Sequence, residues 1–255
     1  MFTNSYLMEK YGLIGYPLKH SFSSKFFGEK FEKENINAEY SNYEISDINT
    51  LPSIITSDSN IKGLNVTIPY KEQVIQFLDE LDDTAKAIGA VNVIKVIRKE
   101  NRIILKGYNS DLIGFQNSIE PMIDPLLHTK ALILGTGGAS KAVKYGLKRL
   151  GVESKFVSRT ARSESFTYDD LTEEVLSEYK VIVNSSPVGT FPNVDECPAI
   201  PYKYLTDSHL LYDLVYNPPV TKFLELGQKQ GARIKNGGEM LQLQAIAAWK
   251  IWNDI

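Results

Sequence analysis

The chain has 255 residues, 43% of them hydrophobic and 23% charged, with a formal net charge of −3. This is the composition of an ordinary globular protein. It carries no basic run of the kind a nucleic-acid surface needs, and no apolar run as long as a membrane span.

Strand-like and helix-like stretches alternate from end to end, which predicts an α/β architecture with mostly parallel sheets. Tyr11-Gly12-Leu13-Ile14-Gly15 reads as the first strand, and residues 24–34 as a helix with Phe26, Phe27 and Phe31 on one face. Strands follow at 40–45 and 61–68. The spacing of Val74, Ile75 and Leu78 predicts a helix over 71–81. Residues 91–98 and 102–106 read as a hairpin turning at Lys99-Glu100-Asn101, and 111–119 as a helix. Pro121-Met122-Ile123-Asp124-Pro125 is the expected hinge, because two prolines stand close together before a new pattern begins. Beyond it come a strand at 131–134, a helix at 141–150, strands at 154–158, 180–184 and 210–215, and a final helix over 239–252. In that helix Trp249 and Trp252 are expected to pack as core.

The N-terminus lacks a basic start and an apolar core, so no signal peptide is expected; Met8 is an alternative start. Cys197 is the sole cysteine, which rules out an internal disulfide and fits a reducing cytoplasm. His20, His128 and His209 are too scattered for a metal site.

Two short segments carry the chemistry. Asn65-Val66-Thr67-Ile68-Pro69-Tyr70-Lys71 and Gly107-Tyr108-Asn109-Ser110-Asp111 each set one ionisable group among small polar residues. Lys71 and Asp111 therefore read as two halves of one site for proton transfer to a hydroxyl or carbonyl. Ser21 and Ser23 are two apart before a helix, so their hydroxyls can face one way and hold a carboxylate at the helix N-terminus. The bland alternative makes Ser23 an N-cap.

Gly135-Thr136-Gly137-Gly138-Ala139-Ser140 stands between a buried strand and a helix, the context of a dinucleotide loop. Gly135 permits the tight turn, and Gly137 lets backbone approach a pyrophosphate. The third glycine of the pattern is replaced by Ser140. An NAD site places Asp or Glu after the second strand, whereas this chain has Ser158-Arg159-Thr160-Ala161-Arg162. Guanidinium binds phosphate bidentately, so that segment suits the 2′-phosphate of NADP.

Gly15-Tyr16-Pro17-Leu18-Lys19-His20-Ser21-Phe22-Ser23, the Asn65–Lys71 and Gly107–Asp111 segments, Ala90-Val91-Asn92, the glycine loop and a late Gln244 occur in this order. The set resembles the shikimate dehydrogenase family, over nearly the whole chain. The resemblance implies NADP-linked interconversion of 3-dehydroshikimate and shikimate in chorismate and aromatic amino-acid biosynthesis. It implies an α/β fold of two domains with the active site in the cleft between them. These are an N-terminal substrate domain (1–120, completed by 237–255) and a Rossmann-like NADP-binding domain (121–236), with the C-terminal helix returning to the first.

By position, the resemblance gives Ser21 and Ser23 the substrate carboxylate. Asn65, Thr67, Asn92 and Gln244 hydrogen-bond the ring hydroxyls and carboxylate, and Tyr216 reaches the substrate. Lys71 and Asp111 are the catalytic pair. Gly135, Gly137, Gly138 and Ala139 form the pyrophosphate loop. Ser158, Arg159 and Thr160, helped by Arg162, receive the 2′-phosphate. Asn184 lies near the nicotinamide ribose and Met240 against the nicotinamide. The chain departs from the family pattern at Ser24, where Pro is usual, and at Ser158, where Asn is usual; its second arginine also comes early. The expected partners are small molecules, with no nucleic acid or membrane, and a monomer or homodimer in the cytoplasm. Two other readings stay open: a quinate/shikimate dehydrogenase using NAD, and a nucleotide-binding regulatory protein without chemistry. The second should have lost Lys71 or Asp111, and both are present.

Overall fold

A computed structural model describes residues 8–18, 21–100, 102–161 and 163–255. The chain divides into two compact units, 1–110 with 245–255, and 111–244.

The first unit is built from β1 (Glu9–Gly15), α1 (Phe22–Lys33), β2 (Ala38–Glu44), α2 (Leu51–Ser57), β3 (Ile61–Val66), β4 (Glu80–Leu81), α3 (Asp83–Ile88), β5 (Val93–Lys99) and β6 (Arg102–Tyr108). Its sheet runs β2-β1-β3-β5-β6-β4. β1 is parallel to β2 and β3, while β3, β5 and β6 are successively antiparallel. Both faces are covered, so the inner strands are apolar on both sides. Ile14, Leu64 and Ile94 point into one core with Leu51 and Ile55 of α2. Tyr11 and Val93, on the opposite face by strand alternation, join Phe27, Phe31 and Trp252 in the other.

The helix expected over 71–81 does not form. Residues 73–77 make a short 3-10 turn, and Leu78 is already extended. Strand pairing wins over periodicity here. The Asp79 amide donates to the Leu105 carbonyl at 2.9 Å, the Asp79 carboxylate accepts from the Leu105 amide at 2.8 Å, and Glu80 pairs with Lys106. Val74 is still buried, from the turn.

The second unit contains α4 (Ser110–Ile119) from its second residue on, β7 (Lys130–Leu134), α5 (Gly138–Arg149), β8 (Glu153–Ser158), β9 (Ser165–Thr167), α6 (Glu173–Glu178), β10 (Val181–Asn184), β11 (Leu210–Asp213), α7 (Lys222–Lys229), β12 (Arg233–Lys235) and the first part of α8 (Gly238–Asn253), whose remainder belongs to the first unit. All six strands are parallel, in the order β12-β11-β10-β7-β8-β9. This is the doubly wound order, with its switch point between β7 and β10. The division falls at the start of α4 and inside α8, one helix before the proline pair expected as hinge. Phe115 and Ile119 explain it, since both are buried with Val143, Leu147 and Tyr212 in the second core.

Two buried histidines also hold this unit together. His209 Nδ1 accepts from the Thr206 amide at 3.0 Å while Nε2 donates to the Leu176 carbonyl at 2.9 Å. His128 Nδ1 accepts from the Asp124 amide at 2.9 Å. Burial holds both below the ordinary value of 6.5, so both are neutral when folded. An unfolded chain takes up these protons near 6.5 and the folded one only further down. Their stabilisation is therefore complete above about pH 6.5 and lost as pH falls below it. Thermal melts of wild type and His209→Gln, compared from pH 8 to 5, should show the wild-type advantage shrinking below pH 6.5. A pH-independent difference would refute a neutral His209.

Candidate functional site

In the first unit the polar side chains gather where β1, β2 and β3 end. Ser21 is the N-cap of α1, accepting from the Ser24 amide at 3.2 Å. Ser23 is therefore not the cap but lies within the first turn, half-buried. The Ser24 hydroxyl donates to Asn42 Oδ1 at 2.7 Å. The Tyr40 hydroxyl donates to Asn65 Oδ1 at 2.8 Å and also hydrogen-bonds Ser23. Tyr40 thus orients two of the expected substrate ligands at once. No local pattern pointed to it, because the three residues meet only through the sheet.

Asn65 Nδ2 donates to the Asn92 carbonyl at 3.3 Å. Asn92 is buried, and its Oδ1 accepts from the Ser110 amide at 2.7 Å while Nδ2 donates to Ser110 Oγ at 3.0 Å. It therefore caps the start of α4, one residue before Asp111. Asp111 is buried in the first turn of that helix, where the dipole favours a carboxylate.

Lys71 sits on a tightly held stretch. The Thr67 amide donates to the Ile14 carbonyl, the Tyr70 amide to the Thr67 carbonyl, and the Val91 amide to the Lys71 carbonyl at 2.7 Å. The Tyr70 hydroxyl donates to the Ile45 carbonyl at 2.6 Å.

In the second unit β7 leads straight into the glycine loop. Gly135 has φ +109, a left-handed conformation that disfavours a side chain, and a Cβ there would meet Ser185 Oγ at 3.1 Å. Gly137 is the N-cap of α5 with no side-chain cap bond, and a Cβ on it would meet nothing within 4 Å. The helix N-terminus is thus open, and its free amides can receive a pyrophosphate. Gly138 and Ala139 form the first turn. Ser140 is fully buried in place of the third glycine, its hydroxyl donating to the Gly137 carbonyl at 2.6 Å.

At the end of β8 the Ser158 hydroxyl donates to the Thr160 carbonyl, which folds the loop back on itself. Ser158 thereby shapes the loop that carries Arg159 and Thr160, both exposed. Arg162 lies outside the described residues.

Asn184 ends β10, beside the switch point, and is fully buried. Its Nδ2 donates to Asp213 Oδ1 at 3.0 Å and to the Val188 carbonyl at 3.3 Å. Its Oδ1 accepts from the Ser186 amide at 3.1 Å and hydroxyl at 2.6 Å. These bonds tie the end of β10 to the loop that follows it and to the end of β11. Met240 is nearly buried in the second core, and Tyr216 is exposed after β11. Gln244 is half-buried on α8, its backbone closely approached by Gly114 of α4.

A parallel doubly wound sheet with an open glycine loop at its switch point is a dinucleotide-binding unit. Linked to an α/β unit rich in hydroxyls and amides, it defines a nicotinamide-dependent oxidoreductase by class. The family profile described as "Shikimate dehydrogenase substrate binding domain" matches residues 13–94. A protein of Caldicellulosiruptor saccharolyticus named "Shikimate dehydrogenase (NADP(+))" is 36% identical over 264 residues, covering 97% of this chain and 93% of that one. The crystal structure of shikimate dehydrogenase from Aquifex aeolicus superposes with a TM-score of 0.84 at 33% identity, over 97% of this chain and 93% of that one. Shikimate 5-dehydrogenase from Thermus thermophilus, solved in complex with NADP(H) and shikimate, gives 0.82 at 27% identity, over 97% and 94%. The chain belongs to the shikimate dehydrogenase family.

Proposed function

We propose that this protein reduces 3-dehydroshikimate to shikimate with NADPH, reversibly, in chorismate and aromatic amino-acid biosynthesis. The observation that carries the reading is the open loop at Gly137, at the N-terminus of α5 and at the switch point of a parallel sheet. Arg159 and Thr160 at the end of β8, with no acidic residue in that segment, favour a 2′-phosphate over a free 2′-hydroxyl. Ser21 and Ser23 hold the substrate carboxylate, and Asn65, Thr67, Asn92, Tyr216 and Gln244 its hydroxyls and carboxylate. The domain organisation expected for this activity is a substrate unit and a cofactor unit. The protein is expected to work on small molecules in the cytoplasm, without nucleic acid, as a monomer or homodimer.

NADPH, when bound, supplies the hydride to the C3 carbonyl carbon. As negative charge develops on the carbonyl oxygen, the Lys71 ammonium stabilises it and donates the proton that completes the hydroxyl. Asp111 accepts a hydrogen bond from that hydroxyl and orients it. In the oxidative direction the same groups take the proton back.

The test is absorbance at the reduced-nicotinamide band, crossing shikimate and quinate against NADP⁺ and NAD⁺. Fast turnover with shikimate and NADP⁺ is expected. Arg159→Ala should raise the KM for NADP⁺ by about tenfold to a hundredfold and leave that for NAD⁺ little changed, the loss of one bidentate phosphate contact. Equal effects on both cofactors would move Arg159 away from the 2′-phosphate. Absence of turnover in every combination would remove the enzyme reading.

A further inference from the structure

We infer that Asp213 is a positioning residue for the cofactor reaction, a buried carboxylate that locks the loop after β10 to the loop after β11; this rests on the function proposed above. Asp213 closes β11 and has no solvent exposure. Its Oδ1 accepts from Asn184 Nδ2 at 3.0 Å and from the Val215 amide at 3.0 Å, and its Oδ2 accepts from the Thr221 hydroxyl at 2.6 Å. No cation among the described residues pairs with it. Burial accordingly pushes its carboxyl up to about 6, against the pull of the three hydrogen bonds.

Such a group is costly to keep, so its partners are informative. Asn184 belongs to the loop over the switch point, where its Oδ1 fixes Ser186. Val215 and Thr221 bracket the next loop, which carries Tyr216. Thr221 is also the N-cap of α7, accepting from the Leu224 amide at 3.4 Å. One carboxylate therefore sets the mutual position of two loop segments at the carboxyl ends of adjacent parallel strands. That edge is where a doubly wound sheet holds its ligand. A third segment is tied to the same loop, because Asn236 Nδ2 donates to the Pro219 carbonyl at 2.8 Å just before α8 begins. The β10, β11 and β12 loops thus form a braced set, with Asp213 at its centre.

The geometry requires an acceptor toward Asn184 and Val215 and a partner for Thr221, but not a negative charge. An asparagine can meet all three, with its amide donating to the Thr221 oxygen; an alanine meets none. The experiment is NADPH binding by fluorescence titration, with kcat and thermal midpoint, for wild type, Asp213→Asn, Asp213→Ala and Thr221→Val. Asp213→Ala should weaken NADPH at least tenfold and lower kcat even where the protein is fully folded. Asp213→Asn should restore binding to within threefold. A merely structural role would lower the midpoint of Asp213→Ala and leave NADPH affinity in the folded protein unchanged. A folded Asp213→Ala protein within twofold of wild type in both NADPH affinity and kcat overturns the inference. If that variant fails to fold, Thr221→Val decides: severalfold weaker NADPH binding supports the brace, and binding within twofold overturns it. Wild-type protein that binds no NADPH would instead sink the proposed function itself, and the inference with it.

Discussion

Replacing Lys71 by alanine should lower kcat by about a thousandfold, within the 10²–10⁴ typical of a general acid, while the KM for shikimate moves only a few-fold. The split follows from what the side chain is proposed to do. An ammonium beside a carbonyl oxygen interacts most strongly when that oxygen bears charge, so its loss falls on the transition state more than on the bound substrate. The backbone around Lys71 is independently secured by the bonds of Thr67, Tyr70 and Val91 described above, so truncation at Cβ leaves the stretch in place. A circular dichroism spectrum and thermal midpoint matching wild type would establish that the loss is chemical. Steady-state rates at saturating NADP⁺ then give the decisive numbers. A kcat within fivefold of wild type would reassign the proton to another group. A rise in KM alone would make Lys71 a simple substrate ligand.

The parts of this design that were legible in the sequence are those whose cause is local. Leu132-Ile133-Leu134 running into Gly135 and Gly137 needs no distant residue to become strand, turn and helix, and it does so at the expected place. The 102–106 strand and its hairpin partner are likewise neighbours in sequence. The stretch after Lys71 misled because its outcome depends on the edge of β6, some twenty-five residues downstream, which draws Asp79 and Glu80 into strand. The same limit applies within the site. Ser21 and Ser23 were visible as a pair, but which of them caps α1 depends on the geometry of the turn, and Tyr40 enters only because β2 lies beside β1. The resemblance puts Asn184 in the loop near the nicotinamide ribose, but its bonds to Asp213 and Ser186 depend on strands and turns distant in sequence. A usable signal did exist: Asn184 and Asp213 both end buried parallel strands, where an otherwise apolar run closes on a single polar residue. Such residues seldom remain buried unless they are hydrogen-bonded to one another or to loop backbone.

Gly63→Ala should cost about 3–5 kcal/mol, the range seen when a large aromatic loses its core site. Gly63 lies in β3 between Tyr11 of β1 and Lys95 of β5. A methyl group there would fall 2.2 Å from both Cδ1 and Nε1 of Trp252. That indole cannot simply step aside. It is 5% exposed, its ring centroid lies 4.9 Å from that of Tyr11 and 5.3 Å from that of Phe27, and its N–H donates to the Ile94 carbonyl at 3.0 Å. Relieving the clash means lifting the end of α8, which also disturbs the Lys95 ammonium on the Ile251 carbonyl at 3.0 Å. Against a total stability of about 5–15 kcal/mol for a folded domain, the loss is large. Near 2–4 °C per kcal/mol for a chain of this size, it should appear as a fall of roughly 6–20 °C in Tm. The double variant Gly63→Ala/Trp252→Leu should lose less than the sum of its single changes, because the smaller side chain removes the clash that the methyl creates. Melting curves of the four proteins form that cycle. Strict additivity, or a Gly63→Ala midpoint within 2 °C of wild type, would mean that Trp252 does not rest on this glycine and that the C-terminal helix is held to the first unit by other contacts.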